Sequence, residues 1–333
     1  SYLRGKFSMK KILSIFSVSF ALIFSSSAFA NTIGVVYDSG GKFDKSFNEL
    51  AFNTAQRVVD ELGWGMIEFE SANDNQIEQG MRKIADRGAS MIVGMGFAQA
   101  DAIGAVAADY PDIKFVAVDV CWLDDPNNNI YQACYKEHEG SFLVGMMAAM
   151  ASESGTIGFV GGMDVPLIRK FQGGYEQGAQ YVNPDIEVIA NMTGSTPEAW
   201  NNPTKGAELT KAQIDGGADV VYQAAGGTGI GVLQAAADAG IMGIGVDSNQ
   251  NWMHPGTMLT SMLKRLDLTI FEQAQNVGKG SFESGINILG LSEGMLGYAT
   301  EDGMVTAEMA AAADAAAADI ASGALVVADW SQE

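Results

Sequence analysis

Histidine and cysteine are scarce in this chain, with two of each among 333 residues. Neither His138 nor His254 stands at zinc-ligand spacing from Cys121 or Cys134, so the sequence offers no zinc site. The two cysteines lie close together in the chain. In an oxidising compartment such a pair predicts a disulfide, and two buried free thiols are the alternative.

Basic residues are also few: 19 lysines and arginines stand against 40 acidic residues, which gives a net charge of −21. Four of the basic residues and no acid fall in the first thirty positions, a segment that we expect to be removed, and the mature chain then carries −25. So acidic a surface repels nucleic acids and anionic membranes, and neither is expected as a partner.

Long apolar runs are confined to the N-terminus. Residues 9–24 join a basic start to an apolar core of about a dozen residues, and Ala28-Phe29-Ala30 follows as a cleavage pattern. We predict a secretory signal peptide over residues 1–30, with 1–8 as an upstream extension and cleavage after Ala30. No cysteine follows the cleavage point, so no lipid anchor is predicted there. The expected location is the periplasm.

Signatures of catalysis are missing too. The chain has no G-x-S-x-G elbow and no H-E-x-x-H motif, and His138, flanked by two glutamates, suits a salt bridge or a helix cap. Residues 226–231 lack the G-x-G-x-x-G spacing, and Lys42 is followed by Phe43 rather than by the Ser or Thr of a phosphate loop. We therefore predict a protein that is not an enzyme and that needs no cofactor or metal.

What the chain does have is a regular alternation of strands and helices. Strands predicted at 32–37, 66–70, 90–93, 114–118 and 130–133 alternate with helices at 46–62, 75–87, 99–108 and 139–152. Ser46 is the predicted N-cap of the first helix, with Glu49 at the capping-box position. A second series of the same kind runs from 156 to 246. The pattern predicts an α/β fold with two doubly wound, mostly parallel sheets.

The last third of the chain breaks this rhythm. It predicts a strand at 256–262, a helix at 267–277, hairpin-like stretches at 286–291 and 297–300, and an alanine-rich helix at 306–322. A chain that crosses between two lobes more than once would place these segments on either lobe. We assign 31–152 and 256–282 to an N-terminal lobe, and 153–255 and 283–333 to a C-terminal lobe.

Polar and aromatic residues gather where the predicted strands end, which is the edge at which open α/β sheets bind ligands. Carboxylates there accept hydrogen bonds from hydroxyl and amide groups, and aromatic rings stack on a flat ligand. The alternative is structural, because aspartates also cap helices, phenylalanines also fill cores, and a strand-end lysine is often simply solvated. The candidates for a small-molecule cleft are Asp38, Phe47, Phe97, Asp119, Trp200, Gly226 and Asp247.

Six stretches, in order along the chain, resemble the basic membrane protein family of periplasmic substrate-binding proteins, the purine nucleoside receptor type that serves ABC importers. They span nearly all of the mature chain, and it is their combination that is specific. The stretches are 38–48 (Asp-Ser-Gly-Gly-Lys-Phe-Asp-Lys-Ser-Phe-Asn), 137–142 (Glu-His-Glu-Gly-Ser-Phe), 166–174 (Pro-Leu-Ile-Arg-Lys-Phe-Gln-Gly-Gly), 224–229 (Ala-Ala-Gly-Gly-Thr-Gly), 245–248 (Gly-Val-Asp-Ser) and 260–264 (Thr-Ser-Met-Leu-Lys).

The resemblance implies a type I binding-protein fold, with two α/β lobes, a three-segment hinge and a nucleoside held between the lobes. Asp38 and Asn48 match base contacts, and Phe47 matches the stacking phenylalanine. Trp200 occupies the aromatic loop position and would cover the other face of the base. Asp119 stands at a strand end where the family places a polar contact, although the neighbouring cysteine pair departs from the usual pattern.

The resemblance further implies that Asp247 and Lys264 bind the ribose, and that a ligand touching both lobes drives their closure. The closed protein, expected to be a monomer, would then dock on an ABC permease in the inner membrane. The alternatives are a receptor for another flat ring, such as a free nucleobase or a flavin, and a ligand sensor of the same fold. A nucleoside hydrolase is disfavoured, because its calcium-binding aspartate cluster is missing.

Overall fold

The structure, a computed structural model, describes residues 31–71 and 73–332. The predicted signal peptide and its cleavage site lie outside the described residues. Within the described ranges, no helix combines the length and the apolar character needed to cross a membrane.

The first part of the chain alternates strand and helix from β1 to α4. Strands β1, β3 and β4 are rich in valine, isoleucine and methionine and are almost entirely buried, as expected where helices cover both faces of a parallel sheet. In chain order the elements are β1 (Thr32–Tyr37), α1 (Phe47–Leu62), β2 (Gly65–Glu70), α2 (Ile77–Asp86), β3 (Met91–Met95), α3 (Ala100–Asp109), β4 (Lys114–Val118), β5 (Ile130–Tyr135) and α4 (Glu137–Ala151).

The remainder of the chain repeats this alternation and then adds four further elements. The repeat comprises β6 (Thr156–Met163), α5 (Pro166–Val182), β7 (Glu187–Gly194), α6 (Pro203–Asp215), β8 (Val220–Ala224), α7 (Thr228–Asp238), β9 (Met242–Asp247) and β10 (Met258–Lys264). The further elements are α8 (Leu266–Lys279), β11 (Gly285–Leu289), β12 (Leu296–Tyr298) and α9 (Ala307–Ser322).

Two six-stranded sheets share one strand order. The first runs β11-β5-β4-β3-β1-β2 and the second runs β12-β10-β9-β8-β6-β7. All pairings are parallel except that of β10 with β12. Strand β4 of the first sheet is therefore equivalent to β9 of the second, and β5 is equivalent to β10. The predicted fold class, two lobes that each contain a doubly wound sheet, is confirmed.

Three segments connect the lobes, and we call them the crossings. The first runs from β5 through Lys136 into α4, the second runs from β10 through Arg265 into α8, and the third joins β11 to β12. The crossings are bonded to one another, because the amide of Lys136 donates to the carbonyl of Leu289 at 2.9 Å and the amide of Arg265 donates to the carbonyl of Met295 at 2.9 Å.

The predicted lobe boundaries are wrong in three places. Strand β10 was assigned to the first lobe, but it pairs with β9 in the second sheet. Helix α4 was also assigned to the first lobe, but it packs on α5 and β10 of the second. Strand β11 adds to the first sheet beside β5 instead of forming a hairpin with β12. The lobes therefore comprise residues 31–135 with 266–289, and residues 137–264 with 296–330.

Helices α4 and α5 approach each other closely because glycines line their contact. Residues 137–148 of α4 are all buried. A Cβ at Gly145 would collide with the backbone carbonyl of Tyr175 on α5, and one at Gly178 would collide with the carbonyl of Phe142 on α4. Since backbone atoms cannot swing away as a side chain can, these positions exclude larger residues.

We expect Gly145→Ala to lower the free energy of unfolding by about 1–3 kcal/mol, because it forces the two helices apart. Gly104→Ala is the matched control, since this glycine also lies inside a helix but its added Cβ would meet only Leu123, at 3.5 Å. The control should be neutral or stabilising by up to about 1 kcal/mol, from helix propensity. Urea unfolding measures both, and equal losses would contradict the packing explanation.

Candidate ligand-binding site

A cleft lies between the lobes, where the carboxyl ends of both sheets face each other. Eight of the nine residues predicted from the sequence for the ligand site line this cleft. They are Asp38, Phe47, Phe97, Asp119, Trp200, Gly226, Asp247 and Lys264. The ninth, Asn48, is buried behind the cleft and does not line it.

Asn48 supports the loop after β1 instead of facing the ligand. Its side-chain amide donates to Asp38 Oδ1 at 2.6 Å and to the carbonyl of Gly41 at 3.1 Å, and its Oδ1 accepts from the amide of Asp38 at 3.2 Å. Both N–H donors are thus used within the loop. The predicted contact of Asn48 with the base is therefore not available in this arrangement, in which the side chain holds the Asp38 carboxylate.

Ser46 stands at the N-cap position of helix α1, as the sequence predicts, but its side chain makes no capping hydrogen bond. Asp44 supplies the cap instead. The Asp44 carboxylate accepts from the amides of Ser46 at 2.8 Å, Asn48 at 3.0 Å and Glu49 at 3.1 Å. The hydroxyl of Ser46 is therefore free to reach across the cleft, where it lies 2.9 Å from the carbonyl of Val246 and 2.9 Å from Asp247 Oδ2. A residue of the first lobe thereby touches a cleft carboxylate of the second.

Asp119 and Asp247 end equivalent strands in an unusual backbone conformation. They follow β4 and end β9, with φ of 63° and 66°. This left-handed region is costly for residues other than glycine, although aspartate tolerates it better than most. Such conformations persist where surrounding contacts enforce them, and they cluster at functional sites. The two sheets thus present matching aspartates from opposite sides of the cleft.

Lys264 joins these two sides. It is the last residue of β10 in the second sheet, it is 1% exposed, and its Nζ donates to Asp119 Oδ1 of the first sheet at 2.6 Å. Burial alone lowers the pKa of Lys264, but the nearby carboxylates of Asp119, Glu137 and Asp247 outweigh burial and raise it. The lysine is therefore a fixed positive charge at the centre of the cleft.

Burial shifts the pKa of each of three carboxyl groups in the cleft. It raises the pKa of Asp119 to about 6, and the positive charge of Lys264 opposes the rise. It also raises the pKa of Asp247, against the same lysine, and the pKa of Asp38, against the hydrogen bond from Asn48. Buried carboxylates of this kind gain from any ligand that brings hydrogen-bond donors.

Aromatic rings from both lobes frame the cleft. Phe97 of the first lobe and Trp200 of the second meet edge to face, with ring centroids 6.5 Å apart and an interplanar angle of 69°. The Phe47 ring lies 5.5 Å from Lys264 Nζ. Trp200 packs directly over Gly162, where any Cβ would collide with the indole ring. The rings can therefore cover an apolar, flat group, with the polar groups arranged around its edges.

Several lining residues were not predicted from the sequence. Helix α5 contributes Leu167, Ile168 and Phe171, and the segment before and at the start of α2 contributes Asp74 and Ile77. The stretch 166–174 did carry a signal, since it was one of the motifs behind the family resemblance, but its apolar residues look like ordinary core positions of an amphipathic helix.

The lobes also contact each other around the rim of the cleft. The carbonyl of Lys45 accepts from Ser248 Oγ and from Gln250 Nε2, each at 3.0 Å. Ser39 Oγ donates to the carbonyl of Pro197 at 3.5 Å. These bonds join segments separated by more than 150 positions, so the structure has the lobes closed on each other.

Two further features of the described residues are a disulfide and the placement of possible metal ligands. Cys121 and Cys134 form a disulfide that ties the loop after Asp119 to β5, next to the first crossing. In the part of the chain that the structure describes, no group of three or more His, Cys, Asp or Glu side chains is placed to hold a metal ion.

Comparison with known proteins identifies the family. A sequence model of the family described as "ABC transporter substrate-binding protein PnrA-like" matches residues 31–328. The chain belongs to this family. The resemblance inferred from the six sequence stretches is thereby confirmed, and the family consists of solute-binding proteins of ABC transporters rather than enzymes.

Individual relatives support the same family assignment. Basic membrane protein A2 of Borrelia garinii is 31% identical over 271 residues, which cover 80% of this chain and 79% of that protein. The ABC transporter nucleoside-binding protein BmpA of Lactococcus lactis is 31% identical over 273 residues, covering 75% and 76%. A crystal structure of an ABC solute-binding protein from Aeropyrum pernix superposes with a TM-score of 0.81 and 26% identity, covering 90% and 94%.

The raised pKa of Asp119 predicts a pH dependence. Because the folded protein binds this proton more tightly than the unfolded chain, the stabilising contribution is fully present below about pH 4 and is lost as the pH rises to about 6. Relative to Asp119→Asn, the unfolding free energy of the native protein should fall by about 1–3 kcal/mol over this window. Urea unfolding at several pH values measures it, and parallel pH profiles would contradict the assignment.

Proposed function

We propose that the protein is the periplasmic receptor of an ABC importer and that it binds a purine nucleoside in the cleft between its lobes. The observation that carries the proposal is the pairing of aromatic rings with a carboxylate–lysine cluster in one buried cleft. A flat base and a hydroxyl-rich sugar need these two kinds of surface. A relative of 31% identity is named as nucleoside-binding, which supports the same ligand class.

The aromatic side of the cleft suits the base. Phe47, Phe97 and Trp200 offer faces and edges on which a purine ring can stack. Asp38 follows β1 and Asp119 follows β4, the strands on either side of β3, and both are acceptors for N–H groups on the edge of the base. Since both carboxylates are buried, such bonds also reduce their desolvation cost.

The Asp247–Lys264 side suits the sugar. A carboxylate accepts hydrogen bonds from two adjacent hydroxyls, and an ammonium donates to hydroxyl or ring oxygens. A phosphate fits poorly, because five aspartates line the cleft against one lysine, Lys264, among the residues that the structure describes. The aspartates are Asp38, Asp44, Asp74, Asp119 and Asp247. The excess negative charge favours an uncharged nucleoside over a nucleotide.

Closure of the lobes on the ligand is the proposed mechanism. A ligand that touches Asp119 and Phe47 of the first lobe and Asp247 and Trp200 of the second stabilises the closed arrangement relative to any open one. The three crossings are the segments about which the lobes would move. The closed protein, acting as a monomer, would then be recognised by the permease.

Titration calorimetry with inosine, guanosine, adenosine, the free bases, riboflavin and a purine 5′-monophosphate tests the proposal. We expect the nucleosides to bind with Kd in the micromolar to nanomolar range, or about −8 to −12 kcal/mol. The free bases and the monophosphate should bind at least about tenfold more weakly, a difference of about 1.4 kcal/mol. Equal binding of free bases would remove the ribose assignment, and binding of riboflavin alone would point to a flavin receptor.

We expect Trp200→Ala to weaken nucleoside binding by about 1–3 kcal/mol, the usual contribution of stacking on a base. Trp122→Ala is the matched control, since Trp122 is 61% exposed and does not line the cleft. Calorimetry of both variants measures the difference. Unchanged affinity in Trp200→Ala would take this residue out of the site.

A further inference from the structure

Two of the motifs behind the family resemblance meet beside the cleft, and the proposed ligand contacts include no residue of either. They are the first turn of α4 (137–142) and the first half of α5 (166–174). Glu137, the first residue of α4, has no exposed surface. Its Oε1 lies 2.8 Å from the Nζ of Lys264, and its Oε2 lies 3.6 Å from the Nζ of Lys170 on α5.

This arrangement links the crossings to the cleft. Glu137 is the first residue after the first crossing, and Lys264 is the last residue before the second. Lys170 also donates to the carbonyl of Tyr135, at 3.2 Å, on the other side of the first crossing. One chain of charges, buried except at Lys170, therefore runs from Asp119 through Lys264 and Glu137 to Lys170, and it lies beside two of the three crossings.

The buried carboxylate of Glu137 depends on partners of opposite charge. A fully buried carboxylate is tolerated only where opposite charges offset its lost hydration, and here two ammonium groups do so. Without Glu137, the carboxylates around Lys264 would be Asp119 and Asp247, both of which line the cleft. The lysine would then keep only the Tyr135 ring, 4.9 Å from its Nζ, as a described contact outside the cleft, and no carboxylate there to hold its ammonium in one position.

We propose that Glu137 is a positioning residue: it holds the ammonium of Lys264 at the floor of the cleft and couples that ammonium, through Lys170, to the crossings. It does not touch the ligand itself. Its effect on ligand binding rests on the function proposed above, whereas its coupling to Lys264 does not.

The ligand-free test is a double-mutant cycle. Glu137→Gln should lower the Tm by several degrees in the native background, and by less than half as much in the Lys264→Met background, because the partner is already gone. Equal Tm losses in the two backgrounds would overturn the coupling. If Glu137→Gln does not fold, judged by circular dichroism, Lys170→Gln takes its place in the cycle, since the Lys170 side chain is 19% exposed and contacts the same carboxylate.

The ligand test compares a nucleoside with its free base, inosine with hypoxanthine, on each variant. Glu137→Gln should weaken inosine binding by roughly tenfold or more, the effect of losing one charged contact, and leave hypoxanthine binding within about twofold. Glu139→Gln is the matched control, because this buried glutamate on the same turn bonds the amide of Leu291 at 2.8 Å and not Lys264. It should leave the ratio of the two affinities unchanged.

The outcomes separate the two proposals. Equal losses for inosine and hypoxanthine in Glu137→Gln, or a ratio that shifts as much in Glu139→Gln, would show a general structural effect and overturn the positioning role. If the unaltered protein binds neither compound, the proposed function fails, and the double-mutant cycle still decides whether Glu137 holds Lys264.

Discussion

The buried contact between Lys264 and Asp119 is the interaction on which the site depends. It joins the second sheet to the first at 2.6 Å, and both side chains are almost without exposed surface. Two charges buried together gain little over apolar packing, because desolvation consumes most of their attraction. We infer that the pair contributes specificity instead, by favouring one relative placement of the two strand ends and with it one geometry of the cleft.

The repeated sheet topology explains how that placement arises. Both sheets order their first five strands in the same way, so β4 and β9 occupy equivalent positions and end in equivalent aspartates. Each aspartate adopts a left-handed backbone where its strand stops. The two lobes thus contribute equivalent aspartates to the cleft. The proposed recognition of a base at one end and a sugar at the other would come from the remaining side chains, with rings concentrated around Phe97 and Trp200 and the lysine on β10.

Much of the fold was predictable from the sequence, because apolar strands and amphipathic helices have distinct periods. The sequence of a strand carries no comparable sign of which sheet the strand joins, which is why β10 and β11 were assigned to the wrong lobes. The N-cap position of α1 was predicted correctly, but the side chain that makes the capping hydrogen bonds was not, for a related reason. A local pattern favours Ser46, but its hydroxyl bonds to a residue 201 positions away, and Asp44 takes over the amides. Phe171 was overlooked because an apolar residue that lines a cleft resembles one that fills a core.

The buried negative charge of the cleft bears on both the stability of the folded protein and its proposed choice of ligand. Burial raises the pKa of Asp38, Asp119 and Asp247, which means that the folded protein holds these carboxylates at a cost. One lysine relieves part of this cost, and it also brings the lobes together. Under the proposed function, the hydroxyl and N–H donors of an uncharged ligand would relieve more of it once the lobes are close enough for one molecule to reach all three of these carboxylates. A ligand carrying its own negative charge increases the cost instead. Under the proposed function, the same excess of buried negative charge would favour closure on an uncharged ligand and oppose closure on an anionic one.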